Sequence, residues 1–167
     1  MLTDLVQIRR LGEQKREENL RFRRHLKRHN FQERRLKRIA ATTEEQIDCT
    51  ACANCCRVAT VKITERDALK LAKRLGVTIE RFWAEFAQEN DAEGAVLKRT
   101  QDGCVFLEGN LCSVYDARPQ TCVNFPHLTH GAGSLVSRLW KMPDRACYCP
   151  IVYNTLEAWK EEVGFRP

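Results

Sequence analysis

Between residues 49 and 56 the chain reads Cys-Thr-Ala-Cys-Ala-Asn-Cys-Cys, which crowds Cys49, Cys52, Cys55 and Cys56 into one turn-sized stretch. Thiolates are soft anionic ligands, and a two-residue gap lets the backbone curl so that neighbouring sulfurs face one point. Repeated gaps of this kind suit an iron–sulfur cluster with a remote fourth ligand, and equally a tetrahedral zinc site. The Cys55-Cys56 doublet is less ordinary. In an extended chain adjacent side chains point to opposite sides. The expectation is that Cys55 joins Cys49 and Cys52, while Cys56 serves a second site or stays a reactive thiolate. Five further cysteines, Cys104, Cys112, Cys122, Cys147 and Cys149, read as the rest of the cage. All nine are candidate metal ligands, and the expected cofactor is zinc or iron, the latter as an iron–sulfur cluster. His127 is a further candidate nitrogen donor.

Composition narrows this reading. The chain has 167 residues, 43% of them hydrophobic, enough for about one domain with a buried core. No apolar run reaches the length of a membrane span, and the first ten residues lack the pattern of a signal peptide. A cytoplasmic location and no membrane association are therefore expected. In that compartment an odd number of cysteines points to reduced thiols and metal rather than disulfides.

The elements that must carry these thiols can be read in order. Residues 1–40 are rich in helix formers, with Gly12 the one glycine and no proline, so a long helix is expected there. Apolar residues are sparse in it (Leu20, Phe22, Leu26, Phe31, Leu36), which leaves a narrow seam or a face awaiting a partner. This arm holds 13 Lys and Arg against 5 Asp and Glu, and the remainder 15 against 17, so it contains the whole basic excess of +6. An acidic protein or nucleic acid is one reading of that charge, and a solvated helical face is the plainer one. Thr42 and Thr43 are expected to cap a short turn into Cys49. Downstream, 58–63 alternates like a short strand, and Thr64-Glu-Arg-Asp67 is a variant capping box ahead of a helix that Gly76 stops. Thr78 caps another helix carrying Ile79, Phe82, Trp83 and Phe86. Asp102-Gly103 and Glu108-Gly-Asn110 signal tight turns, so Cys104 and Cys112 are expected on a small β-meander. Residues 129–138 read as a loop or hairpin tip, and 151–162 as a closing helix.

The combined pattern carries a resemblance. Cys49-x2-Cys52-x2-Cys55-Cys56, Cys104-Val-Phe-Leu, and Cys112-Ser-Val-Tyr-x2-Arg118-Pro119-x2-Cys122-x2-Phe125-Pro126 resemble the CxxCxxCC (YkgJ-like) cysteine-cluster family, described as a zinc- or iron-chelating domain, over about residues 48–150. The resemblance implies metal chelation by these cysteines. Flagellin lysine methylases carry a similar arrangement, which keeps an enzymatic reading open.

The expected fold class is α+β, mostly helical: a small cysteine-rich, metal-centred domain with a short β-meander at 41–167, and a long basic helix at 1–40. The leading functional expectation is a metal-binding protein whose metal organises the domain. Two alternatives stand beside it: an iron–sulfur enzyme of redox or group-transfer type, and a zinc-stabilised interaction module whose basic helix binds a polyanion or acidic partner. No catalytic triad, phosphate loop or paired-carboxylate signature points to a separate active site.

Overall fold

The structure is a computed structural model and describes residues 1–29, 33–131 and 134–166. In chain order the helices are α1 (Leu5–Gln14), α2 (Arg16–Arg28), α3 (Glu33–Gln46), α4 (Cys49–Cys52), α5 (Asn54–Val58), α6 (Glu65–Leu75) and α7 (Ile79–Phe86). Strands β1 (Ala87–Asn90), β2 (Gly94–Leu97), β3 (Leu107–Glu108) and β4 (Leu111–Cys112) follow. Then come α8 (Gln120–Asn124), α9 (Leu135–Arg138), α10 (Met142–Arg145) and α11 (Pro150–Glu162). The described residues are thus mostly helical with two small antiparallel sheets, an α+β protein. Among the described residues no helix is long and apolar enough to cross a membrane. By its contacts the chain divides into two compact units, 1–48 with 126–167, and 49–125.

In the first unit the expected single long helix is broken. Lys15 leaves helical geometry (φ −89°, ψ 6°) and separates α1 from α2. Asp4 starts α1 by accepting the Gln7 N–H at 2.7 Å. The sparse apolar seam does have a partner: Ile8, Phe22, Leu26, Leu36 and Ile39 are buried, together with Ile151, Val152, Leu156 and Trp159 of α11. Phe22 meets Trp159 edge-on at 5.3 Å, a favoured aromatic geometry. Phe31, counted in that seam from the sequence, lies outside the described residues. Thr42 and Thr43 cap no turn. They sit inside α3, their hydroxyls bonded back to the carbonyls of Arg38 and Ile39, which spares them a broken helix. Pro150 opens α11, where its missing N–H costs nothing. Residues 135–138 are helical where a loop was expected; residues 132–133 of that stretch lie outside the described residues.

The second unit is built on α6 and α7. Thr64 and Asp67 complete the capping box, Gly76 ends α6 at φ +70°, and the Thr78 hydroxyl accepts the Arg81 N–H. Ala68, Leu71 and Phe82 are buried with Val61, Ile63, Leu97, Phe106 and Val114. The β1–β2 hairpin (Ala87↔Leu97, Asn90↔Gly94) turns on Asn90, whose side-chain oxygen accepts the Ala92 and Glu93 N–H groups. Periodicity missed β1, whose Ala-Gln-Glu-Asn composition has no strand preference. Conversely, 58–63 contributes only a bridge from Lys62 to Val96, and the turn at Asp102-Gly103 closes only a bridge from Arg99 to Cys104. The second expected turn does form a hairpin, with Leu107 opposite Cys112.

Candidate metal centre

The stretch 49–56 folds as two short helices rather than a curled extended chain. Ala53 takes the left-handed conformation (φ 47°, ψ 12°) between α4 and α5, and its N–H closes α4 on the Cys49 carbonyl at 2.9 Å. A non-glycine residue there carries local strain, of order 1 kcal/mol. Cys55 and Cys56 are therefore helical neighbours, about 100° apart around α5, and not the opposed pair of an extended strand.

Three further elements bring thiols to Cys56. The Cys104 N–H donates to the Cys56 carbonyl at 2.8 Å, which fastens the segment after β2 directly onto α5. That approach requires Gly103: a Cβ there, at φ +137°, would lie 2.6 Å from the Cys56 carbonyl oxygen. Pairing of β3 with β4 sets Cys112, and α8 carries Cys122. Cys104 is part of the buried core of this unit, with Cys56, Cys112 and Cys122 packed at its edge.

The electrostatics record the same convergence. A hydrogen bond with the Cys55 thiol, ahead of the Arg57 and Arg118 charges, holds Cys56 down at about 6 against the opposing effect of burial. Burial pushes Cys122 up to about 12, and repulsion from Cys104, Cys56 and Cys112 adds to it. Burial also raises Cys104 and Cys112, partly offset by backbone N–H groups of Phe106 and Val114 that bond the two sulfurs. Each donor stands two residues after its cysteine, and such N–H to sulfur bonds tune thiolate centres.

Several residues hold this frame together without being candidate ligands. Arg57 donates to the carbonyls of Cys52 (3.1 Å) and Gly109 (2.9 Å) and to the Asn110 side chain, so one guanidinium ties α4 to the β3–β4 turn. Asn110 in turn donates to the Ala51 carbonyl at 3.1 Å. Arg99 donates to the carbonyls of Ala59 (2.7 Å) and Arg57. Asp67, already spent in the α6 cap, also accepts the Gln120 N–H at 3.0 Å and so caps the helix that carries Cys122. Arg118 lies over the Tyr115 ring at 3.8 Å. Sequence reading passed over Arg57 and Arg99, met Asn110 only as a turn residue, and met Arg118 only within the family pattern.

None of the nine cysteines is in a disulfide. Cys56, Cys104, Cys112 and Cys122 lie together in the second unit, with Cys55 beside Cys56. Cys49, the exposed one, and Cys52 bracket α4 of that unit. Cys147 and Cys149 belong to the first unit, where the Cys147 thiol donates to the Pro143 carbonyl at 3.4 Å and Cys149 is buried. Among the described residues no three Cys, His, Asp or Glu side chains stand in ready metal-bonding geometry. The donor set nonetheless fits a zinc or iron ion: soft thiols from four segments, two with N–H donors in place, and charges that repel one another without a cation. His127 does not fit, because Arg145, Arg138 and Lys141 surround it with positive charge.

Residues 48–150, more than half of the chain, match the family described as "Putative zinc- or iron-chelating domain", of pattern CxxCxxCC. The chain belongs to this family. The matched span runs through the second unit and on through Cys147 and Cys149. No curated protein and no solved structure gives a significant match.

Proposed function

We propose that this member of the CxxCxxCC family chelates a zinc or iron ion through Cys56, Cys104, Cys112 and Cys122. The observation that carries the reading is the meeting of these four thiols, from α5, the segment after β2, β4 and α8, at the edge of one core. A cation bound there would supply the positive charge that lets four neighbouring thiolates coexist. The chain's own part is positional. Arg57, Arg99 and Asn110 hold the thiol-bearing segments, Gly103 lets two of them touch, and Asp67 aims α8. Cys49, Cys52 and Cys55 keep the two-residue spacing and form a second group of donors, with Cys147 and Cys149 in reserve in the other unit.

Metal analysis with an absorption spectrum on protein purified without oxygen tests this, and distinguishes zinc (colourless) from an iron–sulfur centre (coloured). The Cys104→Ser, Cys112→Ser double variant should lose the metal. Full metal content in that variant overturns the assignment of this set.

A further inference from the structure

The first unit carries a different cluster, with charge of the opposite kind. The run 135–145 is helical almost throughout (α9, a 3-10 turn at Leu139–Lys141, α10), so Arg138, Lys141 and Arg145 fall at i, i+3 and i+7 on one face. All three act electrostatically on His127. Three features mark the place as built. His127 is a non-glycine residue at φ +66°, a conformation uncommon for residues with a side chain. Gly131, at φ +135°, permits a close approach: a Cβ there would lie 3.0 Å from Arg138 Nη1 and 3.3 Å from His127 Nδ1, so the guanidinium and the imidazole meet at its backbone. Finally, the Arg138 side chain is only 9% exposed, yet its Nε–H is buried with no hydrogen-bond partner.

A buried guanidinium donor left unpaired is costly, so such groups ordinarily have a use. The other arms of the guanidinium are engaged: Nη1 donates to the Gly131 carbonyl at 3.1 Å, and Nη2 stands 3.9 Å from the Glu33 carboxylate. Arg145 Nη1 donates to the Pro126 carbonyl at 3.4 Å, which holds it against the segment that bears His127. Guanidinium, ammonium and imidazole groups gathered at one glycine match the acceptor-only, multiply charged surface of a phosphate group.

We propose that His127, Gly131, Arg138, Lys141 and Arg145 form a binding site for a phosphate group, free or esterified. The site requires no part of the thiol cluster, and it accounts for the cationic surroundings that make His127 unsuited to hold a metal. Burial and the three cations hold the imidazole down at about 4, so at neutral pH it offers a hydrogen bond without adding a fourth charge.

The test is calorimetric titration of the full-length protein with inorganic phosphate and, separately, with adenosine monophosphate, each against sodium chloride at matched ionic strength. Saturable binding of either is the expected result, with both binding if an esterified phosphate is accepted and inorganic phosphate alone if the site rejects esters. Arg138→Gln should weaken it by about tenfold or more, the loss of one charge-assisted hydrogen bond. Because Arg138 is buried and its variant can fail to fold, Lys141→Gln at the exposed rim is the second arm, and should weaken binding several-fold. No heat beyond the chloride control, or equal affinity in the wild type and Lys141→Gln, overturns the site.

Discussion

The carboxylate of Asp67 accepts hydrogen bonds from Thr64 at the start of α6 and from Gln120 at the start of α8, so one side chain sets both the core helix and the helix of Cys122. Burial pushes its carboxyl up, but the Thr64 and Gln120 donors together outweigh that and hold it below the usual carboxylate range. A carboxylate depressed in the folded state stabilises the fold at pH above its unfolded value, near 3.9, and that stability is lost as pH falls through its folded value. Asp67→Asn should therefore destabilise the protein by about 1–3 kcal/mol at pH 7. The deficit should shrink on acidification below about pH 4, as chemical denaturation at a series of pH values would show. An equal deficit at pH 7 and pH 3 would remove the carboxylate from this account. Gly103 is the other residue on which the thiol frame turns. Gly103→Ala has to move the Cys56 carbonyl, which is backbone, and also strains φ. A loss of about 2 kcal/mol or more is expected in a thermal melt.

At the scale of elements, the packing of α1 and α2 on α11 depends on one close contact and one charge cluster. A Cβ at Gly12 would lie 2.6 Å from both the Ala146 carbonyl oxygen and the Cys147 Cα, so α1 meets the chain after α10 backbone to backbone. Gly12→Ala gains helix propensity of about 1 kcal/mol and should still destabilise, by about 1–3 kcal/mol net, because neither backbone can yield. A more stable Gly12→Ala variant would mean that α1 can slide. Beside this contact, Lys160 of α11 is buried and donates to Glu18 of α2 and to Glu157 at 2.6 Å each, and Glu157 also pairs with Lys15. This differs in kind from the exposed Arg9–Glu13 pair on α1, where solvent leaves a few tenths of a kcal/mol. Glu18→Gln should cost about 1–3 kcal/mol in urea unfolding, and added salt should change that cost little, since the cluster is shielded from mobile ions.

At the scale of the whole molecule, the N-terminal helices carry both the basic charge and part of the apolar core of the first unit. Much of the charge is already answered: Lys15 pairs with Glu157, Arg16 with Asp144, and Arg35 and Arg38 with Glu162. Phe22, buried between Trp159 and Phe165, is the anchor on the apolar side. Phe22→Ala should destabilise by about 3–5 kcal/mol, enough to unfold a marginal domain at physiological temperature. In the second unit, α4 and α5 bury no residue on their own, while Cys104 sits within the core. Metal should take the place of packing there. Stripping zinc or iron with a strong chelator should lower the melting midpoint, and an unchanged melt after complete removal would separate metal from fold.

Local chemistry was legible from the residues themselves. The Thr64–Asp67 cap, the Gly76 stop, the Thr78 cap, the hairpin at Gly109-Asn110 and the closing helix after Pro150 depend on neighbours one to four residues away, and all are present. The cysteine spacing likewise led directly to the chelating family. What spacing did not contain was distance through space. The local pattern of 1–40 has no term for α11, more than a hundred residues later, whose apolar face completes the thin seam. It also gave no warning of the break at Lys15. The extended geometry expected at the doublet did not hold, because Ala53 turns the chain into a second short helix, a conformation that alanine does not advertise. That Cys56 meets Cys104, Cys112 and Cys122 was decided by a core that closes under them, by Gly103 leaving room for the Cys56 carbonyl, and by Arg57 and Asp67 bonding across fifty residues. Which of the nine thiols stand together was decided only by tertiary structure, since identical side chains differ only in what surrounds them.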